Sequence, residues 1–267
     1  MRRQRGWLPW KGVRVLGLIV GYGFVVGPLF PVVYQAFNES KIFPAPFEGF
    51  TFRWFRDLSD HEEFRQGALV SAKIGLAATV LALIIGVCAA FAVVRGPRWL
   101  RGSSVTAVLM GPIIIPQIVI GLAILHLANQ LSINVGLRGL AIAHAVFVSP
   151  FVIRMVAAAL ETQGTNFEHT AMVLGAKPRS VLRTVTLPML RPALIASGVF
   201  AFTLSFVNVP LSLFLAPSSD RPLPISIYQF MSSTRTPLLA ALSVVLAVVL
   251  LVIAATVEKV LRVRLLQ

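Results

Sequence analysis

Apolar residues run through this chain in six long blocks, at about residues 13–37, 67–94, 104–127, 137–159, 193–216 and 237–257. About 20 mostly apolar residues suffice for a helix to cross the hydrocarbon of a bilayer. Lipid offers no partner to a backbone N–H or C=O, so a crossing segment must satisfy its own. The blocks are apolar on every face, which fits helices and not the alternating strands of a membrane barrel. The pattern predicts an all-α polytopic membrane protein, with six transmembrane helices in a single domain over residues 1–267. The polar stretch 160–192, between the fourth and fifth blocks, is long enough to carry structure of its own.

Composition agrees. Charged residues make up 13% of the chain and the mean hydropathy is +0.82, whereas roughly one-quarter of a soluble domain is charged. The net charge of +14 would suit a nucleic-acid surface, but its distribution does not. With the N-terminus inside, six crossings return the C-terminus inside. The inside segments then hold sixteen basic residues against Glu161, Glu168 and Glu258, a net of +13, while the outside segments hold eight against seven. Basic residues gathered on one side mark the cytoplasmic face. The expected orientation is N-in and C-in, with segment 160–192 in the cytoplasm. The basic excess then meets lipid headgroups rather than nucleic acid.

Several positions stand out along the blocks. The first apolar run is longer than a signal-peptide core and reads as an uncleaved helix, with Trp7 and Trp10 as interfacial anchors. In the outside loop, FEGFTFRWFRDL reads as a short interfacial helix, with a structured connector favoured over a ligand-recognition element. Lys73 lies inside the second block, where a charge suggests function and a position near a helix end suggests snorkelling to the interface. Cys88 reads as a small buried apolar residue. Pro112 and Pro116 each remove a backbone hydrogen bond, so the third span is kinked or broken there, and Gln117 follows the second of them. His126 and His144 have no ligand spacing to another His, Cys or acid, so no metal site is expected. Ser205, Asn208 and Ser212 recur at i, i+3 and i+7 near Pro210. Such a polar stripe serves either as helix-packing glue or as lining for a solute.

The chain carries no Walker sequence, no glycine-rich phosphate loop and no Ser/His/Asp arrangement. It is read as non-catalytic. Paired acids within the spans, the usual coupling groups of ion-driven carriers, are also missing from the sequence. Energy for any transport must then come from another chain. A non-transporting membrane scaffold and a stand-alone secondary carrier are the competing readings.

The polar stretch has its own pattern. Phe167, Ala171 and Leu174 share a helical face, and Gly175 ends that helix where a left-handed residue is easiest for glycine. Pro178 opens a second helix, where its missing donor costs nothing. Pro188 and Pro192 mark the return to the membrane. This cytoplasmic stretch resembles the signature of ABC importer permeases, a Glu-Ala-Ala triplet followed by glycine and then an Ile-x-Leu-Pro ending. Gly175, nine residues, then Val185, Thr186, Leu187 and Pro188 reproduce the second half. In the first half His169 and Thr170 replace Glu and the first Ala, Ala171 keeps the second, and Glu168 stands one position early. TFRWF, MGPIIIPQIVIGLAIL, AIAHAVFVSPFVIRMV and SFVNVPLSLFLAPSSDRPLPISIYQFM look like the second permease subunit of spermidine/putrescine-type importers. Members often carry an acid after the Ser-Phe of the fifth span, where this chain has Val207 and Asn208.

The resemblance implies a permease subunit in a bacterial inner membrane, importing a small organic solute such as a polyamine, opine, aminophosphonate or amino-acid derivative. It implies a cytoplasmic ABC ATPase dimer that binds ATP and Mg, a second and different permease subunit, and an external solute-binding protein. Phe167, Glu168, His169, Ala171, Met172, Leu174, Gly175 and Ala176 would dock on the ATPase. Gln117, Ser205, Asn208 and Ser212 would line the solute path, with Lys73 as an outlying candidate.

Overall fold

A computed structural model describes residues 8–234 and 236–265. Trp7, Arg2, Arg3 and Arg5 lie outside the described residues, as does the side chain of Trp10. Among the described residues the regular structure is helical, apart from one isolated bridge between Asn38 and Phe50. The helices are α1 (Leu8–Val26), α2 (Leu29–Ala36), α3 (Arg53–Asp57), α4 (Glu62–Arg95), α5 (Ser103–Ile114), α6 (Gln117–Gln130), α7 (Gly136–Gln163), α8 (Asn166–Val173), α9 (Pro178–Val181), α10 (Leu187–Phe206), α11 (Pro210–Leu215), α12 (Leu223–Ser233) and α13 (Leu238–Leu265).

Four stretches are long and apolar enough to cross a membrane: α4, α7, the continuous run Pro178–Phe206, and Leu238–Val257 of α13. The number rises to six if each bent pair is one span: Gly12–Val26 with α2, bent by 50°, and α5 with α6, bent by 92°. The sharper bend follows from the sequence. Pro116 pushes the residue before it out of the helical region, and Ile115 is extended at φ −79°, ψ 130°.

The described residues fall into two compact units, Met1–His61 with Met231–Val249, and Glu62–Phe230 with Leu250–Gln267. The second unit is built on α7. Its apolar window is 67% buried, against 28% for α4, so α7 is the central post and the others pack around it. Val148, Val152, Val156 and Leu160 of α7 meet Ala82 and Ala90 of α4, Leu190 and Ala201 of α10 and Leu211 of α11. Close approach of α4 comes from small residues along one face: Gly67, Ser71, Gly75, Ala78, Ala82, Gly86 and Ala90 are all buried. Without a hydrophobic drive between helices in lipid, small residues that admit a neighbouring backbone supply the packing. At Gly86 a Cβ would stand 2.5 Å from Val152 Cγ1, so only glycine fits against α7 as it stands.

In the fifth apolar block the helix runs without a break from Pro178 through Pro188 and Pro192 to Phe206. A widened π-turn at Leu182–Thr186 precedes Pro188, whose ring excludes the ordinary bond to the carbonyl four residues back. The block then breaks at Val207–Val209 and restarts as α11, with Pro210 at its first position.

In the first unit the aromatic loop is pinned by polar bonds. Arg53–Asp57 is α-helical and passes into a 3-10 turn at Leu58–Asp60, and Trp54 is buried with its Nε1–H donated to Asn38 O at 2.8 Å. Asn38 is itself fully buried, donating from Nδ2 to Pro46 O and accepting the Glu48 amide. Phe37 stacks on Phe50 with ring centroids 5.2 Å apart and planes 5° from parallel.

Candidate functional site

The short helix α8 is bounded by two glycines with positive φ. Gly164 (φ +61°) separates it from α7, and Gly175 (φ +90°) follows its end. The exit closes by two backbone bonds: Gly175 N–H donates to Met172 O, and Ala176 N–H donates to Ala171 O, both at 3.0 Å. That pair of bonds is the Schellman closure, which needs a left-handed residue at the glycine position. Pro178 then stands in the first turn of α9.

α8 presents an apolar tip. Phe167 is 64% exposed, Val173 87% and Leu174 83%. Met172, His169 and Gly175 are exposed as well, whereas Ala171 and Ala176 are half-buried. Val173 was not singled out in the sequence: in an apolar-looking turn only burial tells an outward valine from an inward one.

Glu168 stands apart from that tip. Its side chain is 15% exposed and its Oε1 accepts from Arg95 Nη1 and from Thr186 Oγ1, each at 2.5 Å. Arg95 is the last residue of α4 and also donates from Nη2 to Gly164 O at 3.1 Å. Its guanidinium lies over the Phe91 ring, 5.5 Å from the centroid. Glu168, one of the expected docking residues, thus turns its carboxylate toward the end of α4 and the π-turn that leads into α10. The carboxylate is half-buried and paired.

The solute-path candidates gather as one buried polar cluster. His144 of α7 bonds Ser205 Oγ through Nδ1 at 2.8 Å and approaches Ser212 Oγ through Nε2 at 3.4 Å. Asn208, in the break between α10 and α11, donates to Gln117 Oε1 at 2.8 Å and accepts the Leu211 amide at 3.0 Å. Ser205, Asn208, Ser212 and His144 are buried, and Gln117 is half-buried at the elbow where α6 begins. Ser205, Asn208 and Ser212 do not share a continuous helix, since Asn208 sits in the break and Ser212 on α11. Among the described residues no buried side-chain N or O lacks a partner, so in this conformation the cluster glues α6, α7, α10 and α11 together. Only Gln117 reaches the surface. Beside the elbow lies an apolar cleft of about 420 Å³ lined by Val108, Pro112, Ile115, Ile120, Ile142 and Phe147 among others.

Of the remaining candidates, Lys73 is exposed on α4. Cys88 is exposed, not buried as its apolar setting suggested, because the lipid-facing side of a span is as apolar as its core. His126 bonds Gln130, one turn on in α6. Among the described residues no group of three or more His, Cys, Asp or Glu is placed to hold a metal ion.

The chain is similar to known proteins. The putrescine transport system permease protein PotI of Escherichia coli (strain K12) is 28% identical over 241 residues, 88% of this chain and 84% of the relative. The spermidine/putrescine transport system permease protein PotC of the same organism is 30% identical over 231 residues, 86% of this chain and 87% of the relative. Among solved structures, a bacterial ABC transporter involved in the import of alginate covers 97% of this chain at 13% identity and a TM-score of 0.67. The MetNI methionine ABC transporter in an inward-facing conformation covers 75% at 18% identity and a TM-score of 0.62. These two share the fold. Residues 78–262 match the family described as binding-protein-dependent transport system inner membrane component, and the chain belongs to that family.

Proposed function

We propose that this chain is the six-span, N-in/C-in permease subunit of an ATP-driven importer in a bacterial inner membrane. The bent pairs α1–α2 and α5–α6 each count as one span, and the basic excess on one side sets the orientation. α8 is the coupling helix. The observation that carries this reading is its tip: three large apolar side chains, Phe167, Val173 and Leu174, exposed on a helix in a polar stretch of the chain. An apolar helix face laid into a groove is a standard recognition mode, and the groove belongs to a cytoplasmic ATPase. His169, Ala171, Met172, Gly175 and Ala176 complete the docking surface.

ATP and Mg bind to the ATPase dimer, not to this chain. Closure of the dimer moves α8, and rigid-body motion of the spans alternates access to the two sides. The drive is the difference in interaction energy between the two states. A second, different permease subunit supplies the other half of the path, and an external binding protein delivers the solute.

The solute is a small organic amine of the polyamine class or a related opine, aminophosphonate or amino-acid derivative. PotI and PotC are named for putrescine and spermidine transport. The polar cluster here offers two amides, two hydroxyls and an imidazole, with no carboxylate among them. Carboxylates for an ammonium group then come from the second permease subunit or the binding protein. Gln117 is the lining residue of this chain, and Ser205, Asn208 and Ser212 line the path only when the cluster opens.

The test is uptake of labelled putrescine, spermidine and 2-aminoethylphosphonate by cells with wild-type chain or Gly175→Asp. A Cβ at Gly175 meets nothing within 4 Å, but φ is +90°. The variant therefore strains the backbone and sets a carboxylate beside the apolar tip. Loss of uptake with normal membrane insertion is expected. Normal uptake by the variant overturns the docking.

A further inference from the structure

Resting on the permease reading above, we propose that Glu168 is an internal strut of the coupling helix rather than a contact for the ATPase. With Arg95 and Thr186 it locks α8 to the ends of the second and fifth spans, so that a push on the tip reaches both together.

The need for a strut is in the chain itself. Only Gly164 and Thr165 separate α7 from α8, and Gly164 has φ +61°. On the far side, Leu174–Lys177 joins α8 to α9 through Gly175. A helix of 8 residues between two such joints would pivot when pushed. Three bonds close the pivot. Arg95 spans the joint, with one nitrogen on Gly164 O and the other on Glu168, and Thr186 holds the same carboxylate oxygen from the π-turn that leads into α10. Gln163, at the end of α7, adds a bond to Met189 O at 2.8 Å. Thr186 is buried, and the side chains of Arg95 and Glu168 are 19% and 15% exposed. The carboxylate is thus shielded from solvent and already committed, while the opposite side of α8 carries the open apolar tip.

The chemistry selects these residues. A guanidinium has donors in a rigid fork, which lets Arg95 hold two acceptors at fixed spacing. A carboxylate can accept from both sides at once. Both α4 and α10 pack on α7, so displacement arriving at either is passed to the central post. Removing one partner of a shielded pair leaves the other uncompensated, which loosens the joint without touching the tip.

The experiment uses the complex co-purified with this chain and reconstituted in liposomes. Two quantities are read: ATPase subunit bound per permease, and solute imported per ATP hydrolysed. The solute is whichever of putrescine, spermidine or 2-aminoethylphosphonate the wild-type complex carries. For Glu168→Gln we expect wild-type amounts of bound ATPase and an import per ATP lower by about tenfold, within the usual range of coupling between sites. Thr186→Val, which keeps shape and loses the donor, moves the same ratio in the same direction. Arg95→Glu with Glu168→Arg loses less than the two single reversals added together, because opposite charges again face each other. A Glu168→Gln complex that keeps its import per ATP overturns the strut alone. So does one that loses its ATPase, since Glu168 is then a docking contact. A wild-type chain that purifies with no ATPase overturns the permease reading and the strut with it.

Discussion

Asn208 donates its side-chain amide to Gln117 at 2.8 Å across 91 residues of sequence, tying the break in one span to the elbow of another. The same side chain accepts the Leu211 amide and so caps the first turn of α11. Hydrogen bonds between helices in membranes average only about 0.6 kcal/mol in measured cycles. A buried donor or acceptor left with no partner costs more, about 1–3 kcal/mol. Asn208→Leu strands both Gln117 and the Leu211 amide, whereas Gln117→Leu strands only the Asn208 donor. Unfolding midpoints in mixed micelles should therefore fall further for Asn208→Leu than for Gln117→Leu. Combining the two should add little to the first alone. Additive losses would show that the pair is not coupled.

His144 makes one good bond and one marginal one. The 2.8 Å contact to Ser205 lies in the ordinary range, and the 3.4 Å contact to Ser212 is at its limit. Ser205→Ala leaves a buried imidazole nitrogen alone and should cost about 1–3 kcal/mol. Ser212→Ala removes a contact already at its distance limit and should cost less than Ser205→Ala. Chemical unfolding of the two purified variants side by side checks the order, and equal losses would contradict it.

What could be read from the sequence follows from how far apart the cooperating residues lie. The break before Gln117 was legible because Pro112 and Pro116 announce it locally. The importance of Gly175 was legible too, since a helix exit with positive φ has its own short signature. Ser205, Asn208 and Ser212 were brought together by a helical spacing that the chain does not keep; they meet because a break and a new helix fold back on the same neighbours. Their partners His144 and Gln117, and Arg95 opposite Glu168, lie 61, 91 and 73 residues away. No local pattern announces such pairs. Cys88 shows a limit peculiar to membranes: lipid and core are equally apolar, so composition does not say which side a residue faces. The widened turn at Leu182–Thr186, which carries the helix on into Pro188, has no such local signature.

Gly86 against Val152 offers a steric test of the bundle. A methyl at Gly86 would come within 2.5 Å of Val152 Cγ1 and 2.8 Å of its Cβ. Forcing extra atoms into a packed contact costs about 1–3 kcal/mol. Gly86→Ala should lower the melting temperature of the purified chain, and Gly86→Leu should lower folded yield as well. Val152→Ala removes the nearer clashing atom, Cγ1, and leaves only Cβ, so Gly86→Ala with Val152→Ala should lose less than the sum of the two. A double variant that loses the full sum would mean that α4 and α7 adjust independently.

The tip of α8 should separate binding from stability. Phe167 and Leu174 are mostly exposed in this chain, so Phe167→Ala and Leu174→Ala give up little packing. Each should stay within about 0.5 kcal/mol of wild type in unfolding experiments, as exposed substitutions usually do. On a partner surface the balance reverses, because a large apolar side chain seated in a groove can carry 2 kcal/mol or more of the binding energy, about thirtyfold in affinity. Titration of ATPase subunit onto the reconstituted permease should show that loss for Phe167→Ala and Leu174→Ala. Thr170→Ala, whose hydroxyl bonds only the Asn166 carbonyl of its own helix among the described contacts, should bind as wild type does. Equal binding by all three variants would leave the exposed tip to lipid, since an apolar face that no protein covers still has the bilayer surface to enter. Loss confined to Phe167 and Leu174 places the ATPase on this tip.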